Sequence, residues 1–255
     1  MDDILQDTIA LFGEEPQDDG HIHYGRLDLT TAPKEGKANT LLADHLFSPS
    51  LLLGEHIERG LIPVAGRTVI ELGAGCALPS LLCSTLSEPP ALVVITDYPD
   101  DTIMVNLKEN IARNREQVAP GCNVQCFGYE WGKDVSTLLS LVPQNNGYDI
   151  VILSDLLHFD RSHDVLISSL TSLLRKSSSA RTYVAAGKYT LPHVCDHFLR
   201  EAEEAGIALA EGEDDPVWRG DLEVKGGGLD REQLGIRKSM CRWWVGRWAE
   251  EKTPS

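Results

Sequence analysis

Four short segments carry residue types fit for chemistry, and each closes a run of apolar residues. Residues 69–79 read VIELGAGCALP. An apolar run ends in Glu71, meets the turn Gly73-Ala74-Gly75, and gives way to residues that suit a helix. Glycines let a backbone turn tightly and approach a ligand closely. A helix start behind them presents unpaired N–H groups. A dinucleotide fingerprint would need its third glycine at position 78, where this chain has Leu78, so that pattern is broken. Glu71 also sits badly with a pyrophosphate and better with a cationic or amino-bearing ligand. The plainer reading is a structural strand-to-helix turn.

The second segment is TDYPD at 96–100. In a doubly wound sheet, the end of the second strand lies beside the first glycine turn. A carboxylate there, Asp97, can accept both hydroxyls of a ribose, or it can cap the helix that follows; Asp100 and Asp101 are also available as caps. The third is FGYEWG at 127–132. Trp131 can stack on an adenine face, a contact worth about 1–3 kcal/mol, or pack in a core. The fourth is Ser154-Asp155-Leu156-Leu157-His158-Phe159. Asp155 can cap a helix or hold a substrate amine.

These segments need a scaffold that brings them to one edge. Strand-like runs lie at 67–72, 92–96, 123–127, 148–153 and 182–186, with helical spacing at 78–86, 101–117, 135–141, 163–175 and 193–205. Such alternation predicts βαβ units and a mostly parallel sheet with helices on both faces. The runs at 92–96 and 149–153 are almost continuously apolar, as buried parallel strands are. A helix is expected to begin near Pro49. Residues 211–239 read as loop, and 240–248 (MCRWWVGRW) as a final strand, antiparallel to the rest, whose tryptophans pack it. Residues 1–12 have roughly helical spacing, and 13–40 read as an extended arm in which His21 and His23 either touch substrate or are solvated. The expected organisation is an arm, 1–40, and one α/β domain, 41–255.

The chain has 255 residues and a net charge of −16, from 39 acidic and 23 basic side chains. That balance excludes a large nucleic-acid or anionic-membrane footprint and suits a basic protein partner. No apolar run approaches the roughly 20 residues that span a bilayer, and the first residues lack the character of a signal peptide. A cytoplasmic protein is expected. Its six cysteines show no finger spacing, so they read as buried thiols and no metal site is expected.

The ordered set ELGAG (71–75), TDYPD (96–100), Trp131-Gly132 and SDLL (154–157) resembles the class I S-adenosylmethionine-dependent methyltransferases. More narrowly it is similar to the family-sixteen protein methyltransferases, and within them to the fungal nicotinamide-N-methyltransferase-like group that methylates the N-terminus and a nearby lysine of elongation factor 1A. GAGCALPSLL and the early LFGEEP (11–16) resemble that group's blocks. The resemblance implies a seven-stranded Rossmann-like sheet and S-adenosylmethionine as cofactor. By position it implies that Gly73, Ala74 and Gly75 line the methionine moiety, that Asp97 binds ribose and Trp131 adenine, and that Ser154 contacts the cofactor. Glu71 and Tyr98 fall in the same cofactor motifs. Phe47 stands where the group has a cofactor-contacting Trp, and Asp155 begins the motif that holds the target amine.

Two features depart from the group. His158 replaces its aromatic, with Phe159 displaced by one, and FDRSH (159–163) keeps only the last histidine of its Asn-His-x-x-His stretch. The tail from Trp218 to Trp248 has no counterpart there. Methyl transfer from a sulfonium depends chiefly on placing a neutral nucleophile in line. An amine must first lose its proton, and Asp155 and His158 are the candidate catalytic groups. The expected activity is methylation of a protein lysine or N-terminal amine. The alternatives are a small-molecule N-, O- or S-methyltransferase and a non-catalytic binding protein; a dinucleotide oxidoreductase ranks last, for want of the third glycine.

Overall fold

The computed structural model describes residues 20–213, 215–226 and 229–249; the helical spacing at 1–12 and LFGEEP lie outside them. The described chain opens with a hairpin, β1 (His21–Tyr24) and β2 (Leu27–Thr30). Two helices follow, α1 (Gly36–Thr40) and α2 (Ser48–Glu58). Then come β3 (Thr68–Leu72), α3 (Leu78–Ser84), β4 (Leu92–Asp97), α4 (Asp101–Arg113), β5 (Asn123–Gly128) and α5 (Ser136–Leu139). The series continues with β6 (Ile150–Ser154), α6 (His163–Leu173), β7 (Arg181–Gly187), α7 (Pro192–Glu204) and β8 (Ile207–Glu211). The tail adds β9 (Val224–Lys225), α8 (Arg231–Ser239) and β10 (Cys241–Trp248).

Seven strands form one sheet in the order β5-β4-β3-β6-β7-β10-β8. Strands β3 to β7 pair in parallel, and β10 runs antiparallel to both neighbours. Side chains alternate across a strand, and here the alternation builds two cores. Val69, Val93, Ile95, Ile150 and Ile152 pack on one face with Leu51, Leu81 and Leu107 from α2, α3 and α4. Ile70, Leu72, Val94, Val151 and Leu153 pack on the other with Leu166, Leu170 and Phe198 from α6 and α7. Burial on both faces is why these strands read as unbroken apolar runs. After β5 the chain crosses back to place β6 against the free side of β3. Ligands of open α/β sheets bind at such a reversal, beyond the carboxyl ends of the strands.

The structure differs from the sequence reading in three places. Within the arm expected to be extended, 21–30 form the β1–β2 hairpin, which pairs with β9 of the tail. Its outer strand is closed by side chains rather than by another strand. Asn110 accepts from Thr30 N (2.9 Å) and donates to Thr30 O (2.8 Å), while Asn114 does the same for Asp28 N (2.8 Å) and Asp28 O (2.7 Å). Four helical residues advance about 6 Å and two strand residues about 6.6 Å, so Asn110 in the last turn of α4 and Asn114 at its C-cap match alternate residues of β2.

Second, 207–211 form a strand, β8, held to the end of the sheet by β10. Third, the expected loop contains α8, capped by Asp230, whose side chain accepts from Gln233 N (2.8 Å). Leu234 and Lys238, four apart, are its buried residues. Lys238 forms an ion pair with Glu55 of α2 (2.7 Å), both almost wholly buried, and donates to Val217 O (2.8 Å). Glu58, one turn along α2, accepts from Tyr24 O–H (2.8 Å) and from the backbone N–H groups of Asp221 and Leu222. Two carboxylates on one face of α2 thus fasten hairpin and tail to the sheet. The tryptophans of β10 pack as expected: Trp244 is in the core, Trp243 lies against His56, and Trp248 donates to Arg175 O.

Candidate functional site at the carboxyl edge of the sheet

Three loops leave the parallel strands, and each is pinned by one backbone hydrogen bond to the neighbouring strand. Ala74 N donates to Thr96 O (3.0 Å), Tyr129 N to Asp97 O (2.7 Å) and Asp155 N to Ala185 O (2.7 Å). The turns therefore begin where the ladder ends. Together they enclose a cleft of about 230 Å³, roofed on one side by residues 41–47. Gly73, Ala74, Gly75, Asp97, Tyr98, Trp131, Ser154, Asp155, His158 and Phe47 all line it.

Gly73 and Gly75 both have left-handed backbone, φ +59° and +57°. A Cβ on Gly73 would lie 2.8 Å from Leu156 and 3.2 Å from Trp131, so glycine is required for packing as well as for conformation. A Cβ on Gly75 would meet no atom within 4 Å; this part of the turn is open to a ligand. Asp97 is buried. Its carboxylate accepts from Gly75 N (2.8 Å) and Tyr98 N (2.7 Å), and burial raises it to about 6. The helix-cap alternative is decided by Asp100, whose side chain accepts from Thr102 N (3.0 Å) at the start of α4. Asp97 has no part in that cap.

Glu71 stands apart from the other expected residues. It does not line the cleft but lies behind the turn, fully buried, accepting from Ser80 N (3.1 Å). Burial raises it to about 8, so it is mostly protonated at neutral pH. It braces β3 against α3 and presents no charge to a ligand.

On the opposite wall, Ser154 Oγ is 2.9 Å from Ser50 Oγ, which ties β6 to the first turn of α2. Asp155 has φ +63°, a conformation that costs about 1–3 kcal/mol for a non-glycine residue and concentrates at functional sites. Its carboxylate accepts from Gly187 N (3.1 Å) and from Tyr189 O–H. Burial raises it to about 6, and these two donors oppose the rise. His158 lies in the same cleft wall with both ring nitrogens buried; burial lowers it to about 4, and the Asp155 backbone opposes the fall. Trp131 stands edge-on to Phe159, 5.7 Å between centroids.

Sequence reasoning did not single out Tyr189. The Tyr189 ring folds over Gly187 where a Cβ would collide with it, and contacts Phe47 at 6.2 Å between centroids. The Gly187-Lys188-Tyr189 spacing after a strand was the available signal. Ser50 and the 41–45 stretch were also missed, because nothing local marks a helix start or a turn as part of a distant cleft. His21 and His23 lie on β1, His21 against Asp28 (2.5 Å), and neither lines the cleft. No helix among the described residues is long and apolar enough to cross a membrane.

Comparison with known proteins gives a consistent picture. A family described as "Lysine methyltransferase" matches residues 37–204. The Neurospora crassa "Protein N-terminal and lysine N-methyltransferase efm7" is 30% identical over 224 residues, covering 82% of this chain and 74% of that protein. The Candida glabrata protein of the same name is 27% identical over 225 residues, covering 80% and 84%. Among solved structures, NSun6 from Pyrococcus horikoshii, crystallised with SFG, superposes with a TM-score of 0.51 at 14% identity, covering 86% of this chain and 56% of that one. This last similarity concerns the fold.

Proposed function

The chain belongs to the lysine methyltransferase family and is an S-adenosylmethionine-dependent methyltransferase; from that premise we propose that it methylates an amine of a protein, a lysine side chain or an N-terminal α-amine. One observation carries the reading. The glycine turn and Asp97 line the same cleft as Asp155 and His158, so a cofactor wall and a candidate amine wall face one space. The names of the relatives support a protein acceptor.

The residues present fit S-adenosylmethionine. In this reading Gly73, Ala74 and Gly75 hold the methionine moiety, where the turn is open. Asp97 would accept the ribose hydroxyls, Trp131 would stack on the adenine, and Tyr98, Ser154 and Phe47 would contact the cofactor from the same cleft. When bound, the cofactor supplies an electrophilic methyl group on a sulfonium.

The chain's own task is to hold and orient a neutral amine. Asp155, raised to about 6, is ionised at pH 7 and draws an ammonium group to the cleft. His158, lowered to about 4, is a neutral imidazole there. At that value it is a poor proton acceptor, so its part is to accept a hydrogen bond and align the nitrogen. The gain comes from proximity and orientation, with proton loss to Asp155 or solvent before transfer.

The test is transfer of radiolabelled methyl groups from S-adenosylmethionine. The acceptors are elongation factor 1A, the target the resemblance implies, a panel of basic proteins, and free amines. Label at a lysine or N-terminus is the expected result; label only on small amines overturns the protein-acceptor reading.

A further inference from the structure

We propose that His163, His197 and Glu201 form a zinc site between α6 and α7, outside the cleft. None of the three lines the cleft. His197 and Glu201 are four apart on α7 and so share one face, and His163 opens α6 opposite them. One donor atom from each residue lies within 4.8 Å of the others.

Three features favour an ion over a chance cluster. The first is tautomer control. His163 is almost wholly buried, and its Nε2 is 2.8 Å from Leu157 O. A carbonyl can only accept, so Nε2 carries the proton and Nδ1 keeps its lone pair. That is the arrangement of a metal-bound histidine, whose second nitrogen donates to a backbone carbonyl.

The second is spacing. His163 Nδ1 and His197 Nδ1 are 3.4 Å apart. Two nitrogens each about 2.0–2.1 Å from a tetrahedral zinc are separated by about 3.3–3.4 Å. The ring centroids are 5.6 Å apart with planes at 28°, close to the roughly 5 Å that two imidazoles flanking one such ion would show. The third is the carboxylate. Glu201 Oε1 is 3.4 Å from His197 Nε2, and Oε2 is buried without a hydrogen-bond partner.

Two imidazoles and one carboxylate suit zinc rather than magnesium or calcium, which prefer oxygen ligands. A water completes the fourth position. The ion would staple α6 to α7. Through His163 and the Leu157 carbonyl it would also steady the loop that carries Asp155 and His158. Sequence reading expected no metal from the spacing of the cysteines; these ligands are split between helices, with the two histidines 34 residues apart.

The site is tested on the full chain, stripped of metal and titrated with zinc chloride and, separately, cobalt(II) chloride. The expected result is one equivalent bound, with cobalt showing ligand-field bands but no thiolate charge-transfer band. His197 is exposed and Glu201 half-exposed, so His197→Ala and Glu201→Gln should fold, which circular dichroism checks. Each should weaken binding by about 10- to 100-fold or more, the loss that even outer partners of a metal cause. His193→Ala, an exposed histidine on the same helix, should leave it unchanged. Absence of binding at micromolar metal, a thiolate band, or equal affinity in His197→Ala would each overturn the site. All of these readouts are independent of methyl transfer.

Discussion

The Tyr189 hydroxyl donates to the Asp155 carboxylate across the gap between the ends of β6 and β7, so the candidate amine-binding group is aimed by a residue that does not itself line the cleft. Gly187 N donates to the other carboxylate oxygen (3.1 Å). Both oxygens of the Asp155 carboxylate are thus held by donors of the fold itself.

Tyr189→Phe removes one of these donors and leaves the fold intact. Methyl transfer is expected to slow by about 10- to 100-fold, the worth of a hydrogen bond to a charged group. Cofactor affinity should hardly change. The donor holds Asp155 down, so its loss should move the acid limb of the pH–rate profile upward from about 6. A variant whose cofactor affinity falls as much as its rate would show that Tyr189 acts elsewhere.

Asp97 gives a pH dependence of binding. Its folded value is about 6, above the usual 3.8. Below pH 6 it is protonated and a poorer acceptor for hydroxyls, so calorimetric affinity for S-adenosylhomocysteine should fall as pH drops from 7 to 5. Asp97→Asn should bind about 10- to 100-fold more weakly at pH 7.5. Its affinity should also stay flat over that range. A parallel pH slope in the variant would assign the titration to another group.

Glu71 makes the opposite kind of prediction, for stability. Its value rises from 4.5 to about 8 on folding. The native state therefore holds a proton that the unfolded state has released, and this contribution declines as pH rises from about 5 past 8. Glu71→Gln removes that term. In urea melts at pH 5, 7 and 8.5, the stability of Glu71→Gln relative to the parent should increase with pH. A constant difference would mean that the native carboxyl titrates normally.

Lys238→Met removes the buried ammonium partner of Glu55 and leaves the carboxylate with Arg59 (3.7 Å) and the Arg219 N–H. Removing one partner of a buried pair costs about 3–5 kcal/mol. Adding Glu55→Leu should recover much of that loss. Chemical denaturation of the three variants checks both statements, and a single-variant loss under 1 kcal/mol, about the worth of an exposed pair, would contradict the burial of the pair.

Asn110→Ala should release the hairpin. It leaves the Thr30 N–H and the Cys76 carbonyl without their amide partner, at about 1–3 kcal/mol for each buried group left unpaired, while Asn106 still donates to the Thr30 carbonyl. Limited proteolysis should then cut within 20–35 sooner than in the parent. Because Cys76 follows the glycine turn, cofactor affinity should also drop. Unchanged cleavage would mean that β9, Asn106 and Asn114 suffice to retain the hairpin.

The parallel sheet, its helices and the meeting of the glycine turn with Asp97 in one cleft were legible because each is encoded locally. Apolar runs of strand length announce burial on both faces. GAG follows one of them and TDYPD closes another, and strand order alone brings both to the same edge. The position of Asp155 and His158 at that edge was legible for the same reason. What stayed hidden depends on partners far apart in the chain. The hairpin at 21–30 has little periodicity of its own, since its outer edge is satisfied by Asn110 and Asn114, some 80 residues away. Helix α8 carried a local cap signal at Asp230 and Gln233, but its burial depends on Glu55. The placements of Glu71 behind the turn and Asp97 in front of it could not be told apart from sequence. Both are acidic residues at strand ends, and only the packing of α3 against β3 decides which carboxyl loses contact with solvent and ligand. The same holds for Tyr189 and for His163 with His197: sequence supplies the side chains, and the crossing of strands and helices decides which of them meet.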